Sequence, residues 1–163
     1  MTLYNGLARH IMAPAYDLVR GAHTMRCLHE LEESQWWPRE RILELQSRRL
    51  QRLVEHAYTH VPHYRRIMDE RGIVPSDIRT GADLAALPVL SRPQVQEHGA
   101  ELMAEGFNRR RMRVTRTSGS TGRPLKFYST REDQVDHGYA RNLRALEWTG
   151  LRLGDRTVGV SRR

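Results

Sequence analysis

The chain has 163 residues, a formal charge of +8 and 39% apolar side chains, enough for a domain with its own core but with no apolar run near the roughly 20 residues a membrane-spanning helix needs. Its single cysteine, Cys27, excludes an internal disulfide and a cysteine-built metal cluster, which fits a reducing, cytoplasmic setting. Lys126 is the one lysine and the arginines are scattered, a pattern of solvated surface rather than of a nucleic-acid patch.

The N-terminal stretch carries Leu3, Leu7, Ile11 and Met12 at helical spacing. Pro14 is expected to break that helix, and a second, weaker one is expected over residues 15–31. Arg9 and His10 interrupt the apolar run, so it does not read as an export signal. Packing on the rest of the chain is expected in preference to an amphipathic membrane anchor.

Trp36-Trp37-Pro38 opens the strongest helix, with Ser34 as its expected N-cap and Pro38 in its first turn. Ile42, Leu45, Leu50, Leu53, Val54 and Ala57 collect on one face, and Arg41, Glu44, Arg48, Arg52 and Glu55 on the other. Val61-Pro62 ends it, because the residue before proline avoids the α region. His56 and His60 are four apart, but no HExxH pattern accompanies them and His63 lies beyond Pro62. No metal site is expected there; a solvated or hydrogen-bonded helix end is.

Shorter elements follow: a helix over 64–70 closed by Gly72, a turn from Pro75-Ser76-Asp77, and a short helix opening at Thr80-Gly81-Ala82-Asp83 with Leu84 and Leu87. A further helix is expected over 94–104, with Ser91 or Arg92 near its cap. The densest positive charge, RRRMR, falls within 108–113 and reads equally as an electrostatic aid to binding a polyphosphate or as an exposed loop leading into a strand.

Residues 112–128, MRVTRTSGSTGRPLKFY, are a β-prone run, a loop of small and hydroxyl residues, and a second β-prone run. Glycines allow the unusual φ such a loop requires, successive inward N–H groups make an anion-binding concavity, and Thr117, Ser118, Ser120 and Thr121 add hydroxyl donors. Arg116 and Arg123 flank it with positive charge. The loop is therefore read as a phosphate cradle, against the plainer alternative of a hairpin connection. It is not a Walker A loop, since Gly122 leads into Arg123-Pro124 and not into Lys-Ser/Thr and a helix. Beyond it, a helix over 131–148 is expected, with Ser129 and Glu132, or Thr130 and Asp133, as a capping box and with Val135, Tyr139, Leu143 and Leu146 on its packed side. Gly150 ends that helix, residues 153–155 turn, and 157–160 begin an apolar strand.

Thr117-Ser-Gly-Ser-Thr-Gly-Arg-Pro-Leu125 resembles the phosphate-binding signature of the adenylate-forming superfamily, in particular its phenylacetate-CoA ligase branch and the capsule-biosynthesis CapK-like relatives. QSRRLQRLVEHAYTHVPHY at 46–64 and the LPVLSRP segment within 78–93 fit that branch too, so the likeness runs from about 36 to 160. Many superfamily members carry lysine directly after the loop proline; this chain has Leu125 there and Lys126 one place later.

The resemblance implies a mixed α/β chain, with a helical region over 1–110 and a strand-loop-strand-helix over 111–163 that opens a larger adenylating sheet domain. It implies ATP, Mg2+ and coenzyme A as cofactors or cosubstrates, with a nucleotide and a small carboxylic acid as partners. Thr117, Ser118, Gly119, Ser120, Thr121 and Gly122 would hold the phosphates, with Arg116, Arg123 and Lys126 as auxiliaries, and His137 and Tyr139 near an acyl pocket, core packing being preferred for Tyr139. No resident metal site and no catalytic residue is identified. The family's adenine-binding Tyr-Gly-x-Thr-Glu segment and catalytic lysine domain are not found, so the chain is expected to be an N-terminal piece, inactive alone, with the remainder of the enzyme or a second copy as partner. Two rival classes stand beside this: a nucleic-acid module built on Gly119-Ser-Thr-Gly122, a GxxG of the KH type, and a helical interaction domain without chemistry.

Overall fold

The computed structural model describes residues 3–108, 110, 112–117, 124–130 and 136–156. They form a mixed, helix-rich chain with a small two-stranded antiparallel sheet. Two compact units divide it, one assembled from both ends of the chain (Met1–Trp36 with Ser129–Arg163), the other continuous (Trp37–Tyr128).

In the first unit, α1 (Leu3–Leu7) runs through a π-helical turn (Ala8–Met12) into α2 (Ala13–Arg20). Pro14 does not break the helix as expected. The turn before it is widened, with the Ala13 amide bonded five residues back to the Ala8 carbonyl, which accommodates a ring that has no N–H to give and crowds the carbonyl four residues earlier in a regular helix. The single helix expected over 15–31 is in fact two. Gly21, at φ 59°, closes α2, and α3 (Thr24–Ser34) starts afresh.

The start of α3 is capped from a distance. Asp17 Oδ2 accepts the Met25 amide at 2.7 Å, and Asp136 accepts the His23 amide at 3.0 Å. Carboxylates at a helix N-terminus satisfy orphan donors and meet the positive end of the dipole. Asp136 precedes α7 (Gly138–Glu147), which packs on α3.

The packed side of α7 runs through Asp136, Ala140, Leu143 and Glu147. Tyr139 and Leu146, expected on that side, are largely exposed, and Val135 lies outside the described residues. Ala140 and Leu143 join Cys27 and Leu28 in the core, with Met25, Leu31 and Leu153 around them. Arg9 ties three helices together, reaching both Glu32 oxygens at 2.5 and 2.6 Å and Glu147 at 2.7 Å.

Asn5 donates to the Leu153 carbonyl and the Asp155 carboxylate, drawing the first helix onto the turn at Gly154. There φ is +93°, and a Cβ would meet Ala8 Cβ at 3.0 Å and the Tyr4 ring at 3.2 Å. Gly154→Ala is therefore expected to cost about 1–3 kcal/mol, from backbone strain added to the steric conflict, as measured by urea unfolding. The arm thus packs as expected through Asn5 and Ala8, but Leu3, Leu7, Ile11, Leu18 and Val19 remain on its outer side.

In the second unit, α4 (Arg39–His60) starts after Pro38, whose ψ of 151° is extended. Pro38 is thus the N-cap rather than a first-turn residue, and Ser34, expected in that role, is the last residue of α3 and bonds the Leu31 carbonyl. The Arg41 guanidinium lies 3.6 Å from the Trp37 ring centroid. Val54 packs with Met68 and Ile78, flanked by Leu50, Tyr58, Ile73 and Leu87. Leu50, Val54 and Tyr58 recur every four residues and share a face, which leaves Leu53, expected among them, 64% exposed.

Pro62 ends α4 and also opens α5 (Pro62–Arg71), which starts earlier than the expected residue 64 and closes at Gly72. Two 3₁₀ turns follow, Pro75–Asp77 and Asp83–Ala86. The Asp83 carboxylate accepts the Arg79 and Thr80 amides and the Thr80 hydroxyl, and these bonds hold its pKa below the ordinary carboxylate range, the Thr80 amide bond foremost.

Ser91 caps α6 (Arg92–Glu97), its amide and hydroxyl both donating to Gln94 Oε1. The helix ends well before residue 104. Gly99 disfavours continuation, and the chain instead folds back onto the corner between α4 and α5 through the Glu101 carbonyl and Glu105 amide. The unit then enters a hairpin of β1 (Arg113–Arg116) and β2 (Lys126–Ser129). The expected cap residues Glu132 and Asp133 and the strand over 157–160 lie outside the described residues. Among those described, no helix is long and apolar enough to cross a membrane.

Candidate functional site

The hairpin forms because two β-prone runs flank a stretch of glycine, serine and threonine. Its neck is fastened at Thr117 and Leu125. The Thr117 amide donates to the Leu125 carbonyl at 3.0 Å, and the Leu125 amide donates to Thr117 Oγ1 at 3.0 Å. The Thr117 amide is thereby engaged, while its hydroxyl proton remains free to donate. Ser118, Gly119, Ser120, Thr121, Gly122 and Arg123 lie outside the described residues.

This neck sets the register. With Thr117 opposite Leu125, and with both strands ending one residue from that pair, Arg116 stands opposite Lys126. Opposite residues on antiparallel strands project to the same face about 5 Å apart, and like charges there repel. Both side chains are exposed. An anion beside these two cations would relieve their repulsion. Val114 and Tyr128 form the next pair on that face, and Arg113 and Arg110 lie upstream on exposed backbone. Leu125 is the residue that the sequence pattern alone overlooks: as an apolar side chain it shows no function, yet its backbone closes the loop.

The other expected residues are not gathered here. His137 is exposed at the start of α7. Tyr139, expected in the core, is 52% exposed and borders a cavity of about 690 Å3 in the first unit with Met12, Tyr16, Met25 and Leu143. Among the described residues, no group of three or more His, Cys, Asp or Glu side chains is placed to hold a metal ion. His56 and His60 pair their rings at 4.7 Å. His63, expected at a solvated or hydrogen-bonded helix end, is 3% exposed, with Arg66 Nη2 3.5 Å from its Nδ1. The GxxG of the loop is flanked by strands, so the helical setting a KH clamp requires is not met.

No family model matches the chain. Curated proteins do. The phenylacetate-coenzyme A ligase of Aromatoleum evansii is 32% identical over 126 residues, covering 77% of this chain and 28% of the relative. That of Thermus thermophilus is 35% identical over 96 residues, 59% of this chain and 22% of the relative. That of Escherichia coli is 33% identical over 104 residues, with 24% of the relative covered. The chain is thus related in sequence to phenylacetate-coenzyme A ligases, and it spans about a quarter of their length.

Proposed function

We propose that this chain is the phosphate-holding part of an AMP-forming acyl- or aryl-CoA ligase. The observation that carries this reading is the cation pair Arg116 and Lys126 across the neck of the loop, in a chain related to ligases of this kind. Like charges placed face to face cost stability unless something negative joins them, and a triphosphate supplies that charge.

In the reaction, one oxygen of a carboxylate attacks the α-phosphorus of ATP, the bond to pyrophosphate breaks, and an acyl-adenylate forms. The thiol of coenzyme A then attacks the acyl carbon, loses its proton, and AMP departs. Mg2+ accompanies the nucleotide and offsets phosphate charge. The chain's own contribution is positional and electrostatic. Ser118, Gly119, Ser120, Thr121 and Gly122 offer amides and hydroxyls to the β- and γ-phosphates, Thr117 offers its hydroxyl from the neck, and Arg116, Arg123 and Lys126 offset the charge that grows on departing pyrophosphate. A small aryl acid of the phenylacetate type is the substrate class the relatives suggest.

Isothermal titration calorimetry with ATP and Mg2+ tests the reading. Gly119→Val is expected to weaken binding at least about tenfold, because a branched side chain removes the close backbone approach an anion needs. Pyrophosphate should compete with ATP, whereas single-stranded RNA should bind weakly and with affinity falling steeply with salt. A folded protein that ignores ATP at millimolar concentration, or a Gly119→Val variant that binds like the parent, would refute it.

A further inference from the structure

We propose that His63 is the pin of an acid-labile latch: residues 91–107 are clasped to the corner between α4 and α5 while the His63 ring is neutral, and let go when it takes up a proton. The inference stands on the second unit alone and is independent of the nucleotide reading.

The latch begins with backbone groups that helices leave unpaired. At the end of α4, the Arg65 guanidinium takes the Tyr58 carbonyl at 3.1 Å and the Thr59 carbonyl. The next carbonyl, of His60, accepts the Glu105 amide at 2.7 Å. At the start of α5, the His63 amide donates to the Glu101 carbonyl at 3.1 Å. Two backbone bonds thus pin the segment that follows α6 onto the corner. The ion pairs beside them, Arg66 with Glu101 at 3.5 Å and Arg65 with Glu105 at 3.4 Å, are exposed and add little in solvent.

The His63 ring fills the space under this clasp. It lies 5.6 Å from the His98 ring and meets Tyr64 edge-on at 5.6 Å. Arg66 Nη2 approaches Nδ1 to 3.5 Å, and a guanidinium has only donors to offer, so Nδ1 is the accepting nitrogen and the proton belongs on Nε2. That atom is buried without a hydrogen-bond partner. A second proton must go to Nδ1, facing the Arg66 cation.

Burial, then Arg66 and His98, push the His63 pKa below the ordinary histidine value, while Glu101 and Glu70 pull weakly the other way. With the folded value below the unfolded one, the unfolded segment binds more protons in the interval between them. The clasp is therefore fully stable above the ordinary histidine range and weakens as pH falls from there toward the folded value. Opening hydrates the ring. Two backbone bonds and exposed ion pairs join the segment after α6 to the corner, so it can be released without unfolding the helices beneath it.

Amide hydrogen exchange on the full chain tests this, read by NMR near pH 7.5 and near pH 5.5, on either side of the ordinary histidine pKa. Corrected for intrinsic rates, protection of the Glu105 and His63 amides should fall severalfold at the lower pH, while that of Val54 and Met68 holds. In His63→Leu, protection of Glu105 should be the same at both. Protection in the parent that does not change, or an equal fall in His63→Leu, would overturn the latch. If that variant does not fold, the parent's ring resonances decide. His63 titrating well below the ordinary histidine value supports the proposal, and His63 titrating at that value overturns it.

Discussion

Arg9→Met should destabilise the chain by about 2–4 kcal/mol at neutral pH, below the roughly 3–5 kcal/mol for breaking a fully buried pair because these side chains keep some solvent, and the loss should shrink on acidification. Arg9 faces Glu32 and Glu147, whose side chains are 21% and 12% exposed. Burial raises the Glu147 pKa above the ordinary carboxylate value, and Glu32 raises it further by hydrogen bonding and repulsion, while Arg9 draws it down. Without the guanidinium, two largely buried carboxylates face each other, and their repulsion favours protonating Glu147. The sign follows. A carboxyl whose folded pKa lies above its unfolded one binds extra protons in the folded state, so its contribution is present at low pH and is lost as pH rises through the folded value. Arg9→Met widens that interval. Urea unfolding at several pH values should show the variant gaining on the parent as pH falls toward 5, and a deficit that stays constant with pH would show that packing, not charge, is what Arg9 supplies.

Lys126→Glu should separate stability from binding. The substitution turns the repelling pair with Arg116 into an attracting one, expected to stabilise the hairpin by about 0.2–1 kcal/mol. The same change places a carboxylate at the mouth of the loop, and affinity for ATP or pyrophosphate should drop at least about tenfold, or about 1.4 kcal/mol, in line with losing a charge-assisted contact and gaining a repulsive one. Calorimetry for binding and a thermal melt for stability, made on one sample, give the comparison. A variant that binds as well as the parent would remove the cation pair from the site. A variant that loses both properties would show that Lys126 acts by holding the strand.

Much of the second unit was legible in the sequence because its signals are local. Val61-Pro62 marks a helix boundary through proline sterics, Gly72 is a left-handed cap, and β-prone runs on either side of Thr117 to Leu125 bring the strands together. What was not legible depends on distant partners. The packed face of α7 includes two acids, Asp136 and Glu147, which no hydrophobic pattern selects; each is buried because the start of α3 or Arg9 is waiting for it. The helix expected over 94–104 is cut short because Glu101 and Glu105 have bonds to make on α4 and α5. Leu53, expected on one face with Val54, is left outside because the packed side is chosen by Met68 and Ile78. At the site, residue types alone suggested a cradle, but the opposition of Arg116 and Lys126 and the clasp at Leu125 required the register.

The wide turn at Ala8–Met12 acts as a phase adjuster for the whole N-terminal helix. Along an unbroken α-helix Asp17 would fall about 120° around the axis from Asn5, since each residue advances about 100°. A turn bonded five residues back advances less per residue and returns Asp17 toward the side on which Asn5 grips Leu153 and Asp155. Removing a single residue from that turn would restore a regular α-helix in which Asp17, eleven residues on, falls about 20° from Asn5 and keeps its side, whereas removing one from the regular turns after it would rotate Asp17 by about 100° away from the amide of Met25. The first helix is therefore open to change of residue on its outer side and to loss of one residue at the wide turn, but not to change of length elsewhere.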